Sequence, residues 1–145
     1  MGRRLGFVVV GAVLAAGCGG GGGEPEVSAP VWKEPGSYAY TLTSATQVLW
    51  GTFRVTVRDG EVVEAVGLDD DSRRVLRDLP ERPDRVPTIG GLVELLEQAR
   101  QERADTAEAE YAADGRPTRI TLDWDENAID DEAEYVIGGY RPAAR

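Results

Sequence analysis

Chemistry in this chain has to come from carboxylates. Its 145 residues hold 26 Asp and Glu against 16 Lys and Arg, with no His and one Cys. The densest acidic run is Asp123-Trp124-Asp125-Glu126-Asn127-Ala128-Ile129-Asp130-Asp131-Glu132-Ala133-Glu134. Laid on the calcium loop of an EF-hand, Asp123, Asp125 and Asn127 take positions 1, 3 and 5, and Asp131 and Glu134 take 9 and 12. Oxygen-rich ligands in that order suit a hard cation. Two positions depart from the pattern. Ala128 stands where the sharp turn needs Gly, and Asp130 stands where an apolar residue belongs. The flanks also read as strands, so a solvated acidic loop is the favoured reading and no metal site is assigned. A pair of carboxylates is enough for glycoside hydrolysis. Among 26 acids, however, spacing singles out no pair.

Other chemistries are excluded by composition. Without His there is no Ser-His triad and no His-ligated metal. One Cys forms neither an internal disulfide nor a Cys cluster. The Ser residues lack a Gly-x-Ser-x-Gly setting. The sole Lys, Lys33, falls in the segment read below as a tether, which argues against a Ser-Lys mechanism. A formal charge of −10 opposes nucleic-acid binding, which requires a basic footprint. The expectation is a protein without catalytic residues, cofactor or nucleic-acid partner.

The one reactive sulfur has a different reading. Arg3 and Arg4 precede an apolar run, Leu5 to Ala16, and the small residues Ala15, Ala16 and Gly17 lead to Cys18. That run falls short of the roughly 20 apolar residues a membrane-spanning helix needs. Residues 1–18 resemble a bacterial lipoprotein signal. The resemblance implies cleavage before Cys18 and a diacylglycerol thioether on its sulfur. Two or more acyl chains anchor stably where one does not. Removing Arg3 and Arg4 leaves 14 basic against 26 acidic residues, a charge that anionic lipid repels. Gly19 to Gly23 followed by Pro25, Pro30 and Pro35 predicts a flexible tether over 18–36. The organisation expected is therefore signal peptide 1–17, lipidated tether 18–36 and one domain over 37–145.

What must position any site is a small sheet. Tyr38, Tyr40 and Leu42 alternate, as do Phe53, Val55 and Val57, which predicts two strands. Asp59-Gly60 is a strong hairpin signal. The partner strand, 61–68, is expected to enter after a three-residue turn and bulge that set Val55 opposite Val63, keeping Glu64 off the core. Residues 69–86 are polar, contain Pro80 and Pro83, and read as a loop. Thr88 is a helix cap, and Ile89, Leu92, Val93, Leu96 and Ala99 recur on one helical face. A second hairpin turns at Asp114-Gly115, with Pro117 at the start of its return strand. Tyr135 to Ile137 makes a last short strand. The fold class is α+β: an antiparallel sheet of five or six strands, three before and three after a helix, with that helix on one face. Trp32, Trp50 and Trp124 offer aromatic surface to a partner or complete a thin core.

The ordered set Tyr38-x-Tyr40-x-Leu42-x-Ser44, Gly51-Thr-Phe-Arg-Val-Thr-Val-Arg-Asp-Gly60, Gly115-Arg-Pro117-Thr-Arg-Ile120-Thr-Leu-Asp123, Asp130-Asp131-Glu132 and Tyr135 resembles a family of small lipoproteins. These come from high-G+C Gram-positive bacteria and carry a domain of unknown function. The resemblance covers about residues 37–141 and implies an extracytoplasmic domain without assigned catalytic residues. Relatives often carry Cys near Thr46 and Glu134; this chain does not, and so lacks the disulfide that the resemblance would imply. The resulting expectation is a lipoprotein on the outer face of the plasma membrane. It is held by lipid on Cys18 and binds an envelope protein, a peptide or a small ligand. A calcium module built on 123–134 and a carboxylate hydrolase of cell-wall glycans are its rivals.

Overall fold

The computed structural model describes residues 31–78 and 85–144. The signal segment, Cys18 and the first part of the tether lie outside the described residues. Six strands form one antiparallel sheet: β1 (Tyr38–Ala45), β2 (Trp50–Arg58), β3 (Glu61–Gly67), β4 (Thr106–Tyr111), β5 (Pro117–Asp123) and β6 (Glu132–Pro142). Their order across the sheet is β3-β2-β1-β6-β5-β4. Two helices, α1 (Asp70–Asp78) and α2 (Ile89–Gln101), join the two three-stranded halves. The first and last strands are thus central neighbours, with Leu42 opposite Ile137.

Alternation buries one face. Tyr38, Tyr40 and Leu42 from β1, Phe53, Val55 and Val57 from β2, Ile120 and Leu122 from β5, and Tyr135 and Ile137 from β6 share the core with Ile89, Leu92, Leu96 and Ala99 of α2. Burying each large side chain contributes about 1.5–3 kcal/mol. The other face carries Ala45, Thr52, Arg54, Thr121 and Glu134 and is not covered by either helix.

Helix α1 corrects the reading of 69–86 as a loop, and with it the expectation of a single helix. It is a polar helix in which only Ser72 is fully buried, so no apolar stripe announces it. Its start is capped reciprocally. Asp69 Oδ1 accepts the Ser72 N–H at 2.8 Å, and Ser72 Oγ accepts the Asp69 N–H at 3.1 Å. Asp69 Oδ2 also accepts the Thr52 N–H at 2.8 Å, tying the helix to β2. Glycines permit the approach. A Cβ at Gly51 would overlap the Ser72 backbone, and one at Gly67 would lie 2.7 Å from the Arg73 nitrogen.

The first hairpin also departs from expectation. Asp59 (φ 52) and Gly60 (φ 80) form a two-residue turn with both central residues left-handed. Val57 faces Val62, and Val55 faces Ala65 rather than Val63. The extra residue enters as a bulge after the turn, so Val62 stays buried while Val63 and Glu64 are exposed. Strand β6 runs eleven residues, far beyond Tyr135 to Ile137. A bulge at Gly139 (φ 55) lets it continue. It brings Tyr140 onto Tyr38, their ring centroids 5.6 Å apart.

The segment preceding β1 is fastened to this core. Trp32 packs edge-on against Tyr38 and Tyr140. The Tyr38 hydroxyl donates to Glu34 Oε1 and accepts the Ile89 N–H at 2.9 Å. The same Glu34 oxygen accepts the Gly90 N–H at 3.0 Å. Glu34 therefore places its carboxylate at the start of α2, where orphan N–H groups favour negative charge. Burial, followed by the Glu34 contact, raises the Tyr38 hydroxyl well above the usual tyrosine range. Gly90 makes room for that carboxylate, since a Cβ there would overlap it and displace the Glu34 side chain. Trp32 and Glu34 thus anchor a segment that composition assigns to the tether.

Two outcomes check these contacts. Hydrogen bonds to the ionised Asp69 carboxyl, first from Ser72 and then from Thr52, lower its pKa to about 2 from the ordinary 3.8. The stability they contribute is fully present above about pH 4 and is lost as pH falls through about 2. Urea unfolding from pH 2 to 6 should show the wild type losing its advantage over Asp69→Asn in that window; parallel profiles would refute the cap. Separately, Gly90→Ala should stabilise by about 0.5–1 kcal/mol only in a Glu34→Ala background, as helix propensity dictates. In the wild type that gain should be offset by the displaced carboxylate, and additive thermal shifts would count against the contact.

Candidate functional site

On the open face, residues paired across four strands make one transverse row. Trp50 faces Ala45, Ala45 faces Glu134 and Glu134 faces Thr121. Ala45 and Thr121 are short, Trp50 is tall, and the loop between β5 and β6 rises beyond them. The result is a groove of about 860 Å³ at the end of the sheet that carries the β1–β2 turn. Trp50 is 55% exposed there and Ile129, from the loop, 90% exposed. Asp123, Asp130, Glu132 and Glu134 line it together with these apolar groups, and among the described residues no basic one does.

Local hydrogen bonds hold both walls. Ser44, buried, donates its hydroxyl to the Leu49 carbonyl at 2.6 Å. The Leu49 N–H donates to Thr46 Oγ1 at 2.9 Å. These bonds close the turn that presents Trp50. In the opposite wall, Asp131 Oδ2 accepts the Asp125 N–H at 2.9 Å and Asp125 Oδ1 accepts the Asn127 N–H at 2.9 Å. Asp105 accepts the Glu126 N–H at 2.9 Å. A loop so rich in acids is thus partly self-capped: its carboxylates satisfy its own backbone donors.

The five residues considered for calcium separate by role. Asp123 and Asp131 lie close enough for their charges to interact. Desolvation first, then the charges of Asp131, Asp105 and Asp125, raise the Asp123 carboxyl above its ordinary value, against the pull of the Asp125 N–H. Asp125 and Asn127 form a local turn. Glu134 stands along β6 from Glu132, the residue opposite Asp123, and Arg119 Nη1 approaches it at 3.0 Å. Among the described residues no three acidic or thiol groups are arranged to hold a metal ion. Cys18 lies outside the described residues.

The aromatic residues also divide. Trp32 packs into the core, and Trp124 donates its indole N–H to Glu102 at the end of α2, at 3.0 Å. Trp50 alone of the three tryptophans stands on the open face beside the groove. Alternation in β2 already placed it opposite Phe53, Val55 and Val57, a signal that single-residue reasoning passes over. The small partners Ala45 and Thr121 could not be found that way, since their juxtaposition needs the register of four strands. Chemically, an indole face beside uncompensated carboxylates suits recognition of a cation.

If the acidic loop were a calcium site, millimolar calcium would give saturable heat in calorimetry with the full chain. None is expected. Saturable binding that Asp123→Asn abolishes would overturn that expectation.

A family model described as a family of unknown function, DUF6174, matches residues 28–142. No curated protein and no solved structure matches the chain.

Proposed function

For this chain, which belongs to the DUF6174 family of unknown function, we propose the role of a lipid-anchored binding module of the cell envelope. Cys18 carries the lipid, the chain stands on the outer face of the plasma membrane, and the groove beside Trp50 receives an envelope protein, a peptide or a small ligand. Anchoring is supported by Arg3, Arg4, the apolar run to Ala16 and the single Cys behind small residues. The observation that carries the binding role is the groove itself. It is a concave, mainly apolar surface of a size common for ligand sites, with a 55% exposed indole at its rim. Trp50 and Ile129 are exposed together in one concavity, and apolar surface gathered in a groove marks a partner site. Support for a non-catalytic role comes from the absence of His and from carboxylates engaged with backbone N–H groups.

Two measurements test the proposal. In the native host, Cys18→Ser should move the protein from the membrane fraction to the medium; unchanged retention would sink the anchoring step. A photo-reactive residue in place of Trp50 should form an adduct in intact cells, and one in place of Arg77 on α1 should not. Equal labelling at both positions, or none at position 50, would refute the groove as the binding surface.

A further inference from the structure

We infer that the groove beside Trp50 takes an aliphatic oligoamine, a chain of ammonium groups separated by methylenes. This deepens the binding role proposed above and rests on it. Three observations select the occupant. Among the described residues, the lining contains Asp123, Asp130, Glu132 and Glu134 and no Lys or Arg. Among the described residues, the one ion pair to these four acids is that of Arg119 with Glu134, which leaves a net negative charge along the groove. The rest of the lining mixes neutral Thr and Gln side chains with apolar groups, and the Trp50 indole and the Ile129 side chain stand exposed at its rim. An ammonium group gains from a carboxylate by charge-assisted hydrogen bonds and from an indole face by cation–π attraction. Its methylenes can lie along the apolar rim.

The floor discriminates between an amine and a basic peptide. β1, β5 and β6 are each paired on both sides within the sheet, so their backbone groups are already hydrogen-bonded. A peptide crossing this face would leave its own amides without strand partners. An oligoamine has no amide to satisfy, and all its donors are charged. The chain's overall charge of −10 would also draw a polycation toward it, most strongly at low salt.

The test is calorimetric titration of the purified full chain with spermidine and spermine, in parallel with a Lys-rich peptide and with calcium. A single saturable site for the amines is expected. Trp50→Ala and the pair Asp130→Asn with Glu132→Gln should each weaken it by about tenfold or more, about 1.4 kcal/mol. Both sets of positions are exposed, and an unchanged thermal midpoint verifies that the variants fold. Uptake of several amines per chain, indifferent to Trp50→Ala and abolished by salt, would mean counterion condensation and overturn the inference. Binding of the peptide but not the amines would also overturn it, while leaving the groove as a binding surface. Loss of amine binding together with loss of adducts at position 50 in cells would remove both readings.

Discussion

Pairing of β1 with β6 is the contact on which the architecture depends. It joins the first strand of the described fold to the last, and it closes two three-stranded halves into one sheet. Without it, each half would expose the edge of a strand that is now central and lose its packing across the seam. Tyr38, Leu42, Tyr135 and Ile137 lie on the core side of this seam. Ala45 and Glu134 lie at its open-face end, where the groove begins. One long-range pairing therefore sets both the core and the candidate site.

Polar contacts at the two helix starts complete this one-sided design. A sheet with one apolar face needs helices on that face, and each helix exposes unpaired N–H groups where it begins. Asp69 satisfies those of α1 while gripping β2, and Glu34 reaches those of α2 from outside the sheet. Glycines at 51, 67 and 90 give way to these contacts. The glycine that weakens α2 in propensity terms is the one that admits the carboxylate.

The uncovered face gains its character from what it does not have to bury. Short residues can lie beside tall ones there without opening a cavity in the core, and like charges can gather where water screens them. The groove combines both liberties: Ala45 and Thr121 make its floor, and four acids line it. The β5–β6 loop tolerates its acidity because Asp105, Asp125 and Asp131 bind backbone donors. The same self-capping turns Asp125 and Asp131, two members of the linear ligand pattern, toward backbone N–H groups.

Sequence alone determined the strands with clean alternation, helix α2 with its Thr88 cap and the Asp-Gly turns. Each rests on neighbours in the chain, whose periodicity and backbone preferences act locally. Absence of His likewise limited the chemistry before any fold was known. Helix α1, the bulge after Val62, the length of β6 and the fastening of Trp32 and Glu34 were decided only in three dimensions. Ser72 is buried because glycines of two strands, Gly51 and Gly67, admit it, Val63 is left out of the ladder where Val55 pairs with Ala65, and Glu34 is held by a helix start more than fifty residues away. The groove belongs to the same class. Its floor is a row across four strands, and no stretch of sequence holds the register that aligns them.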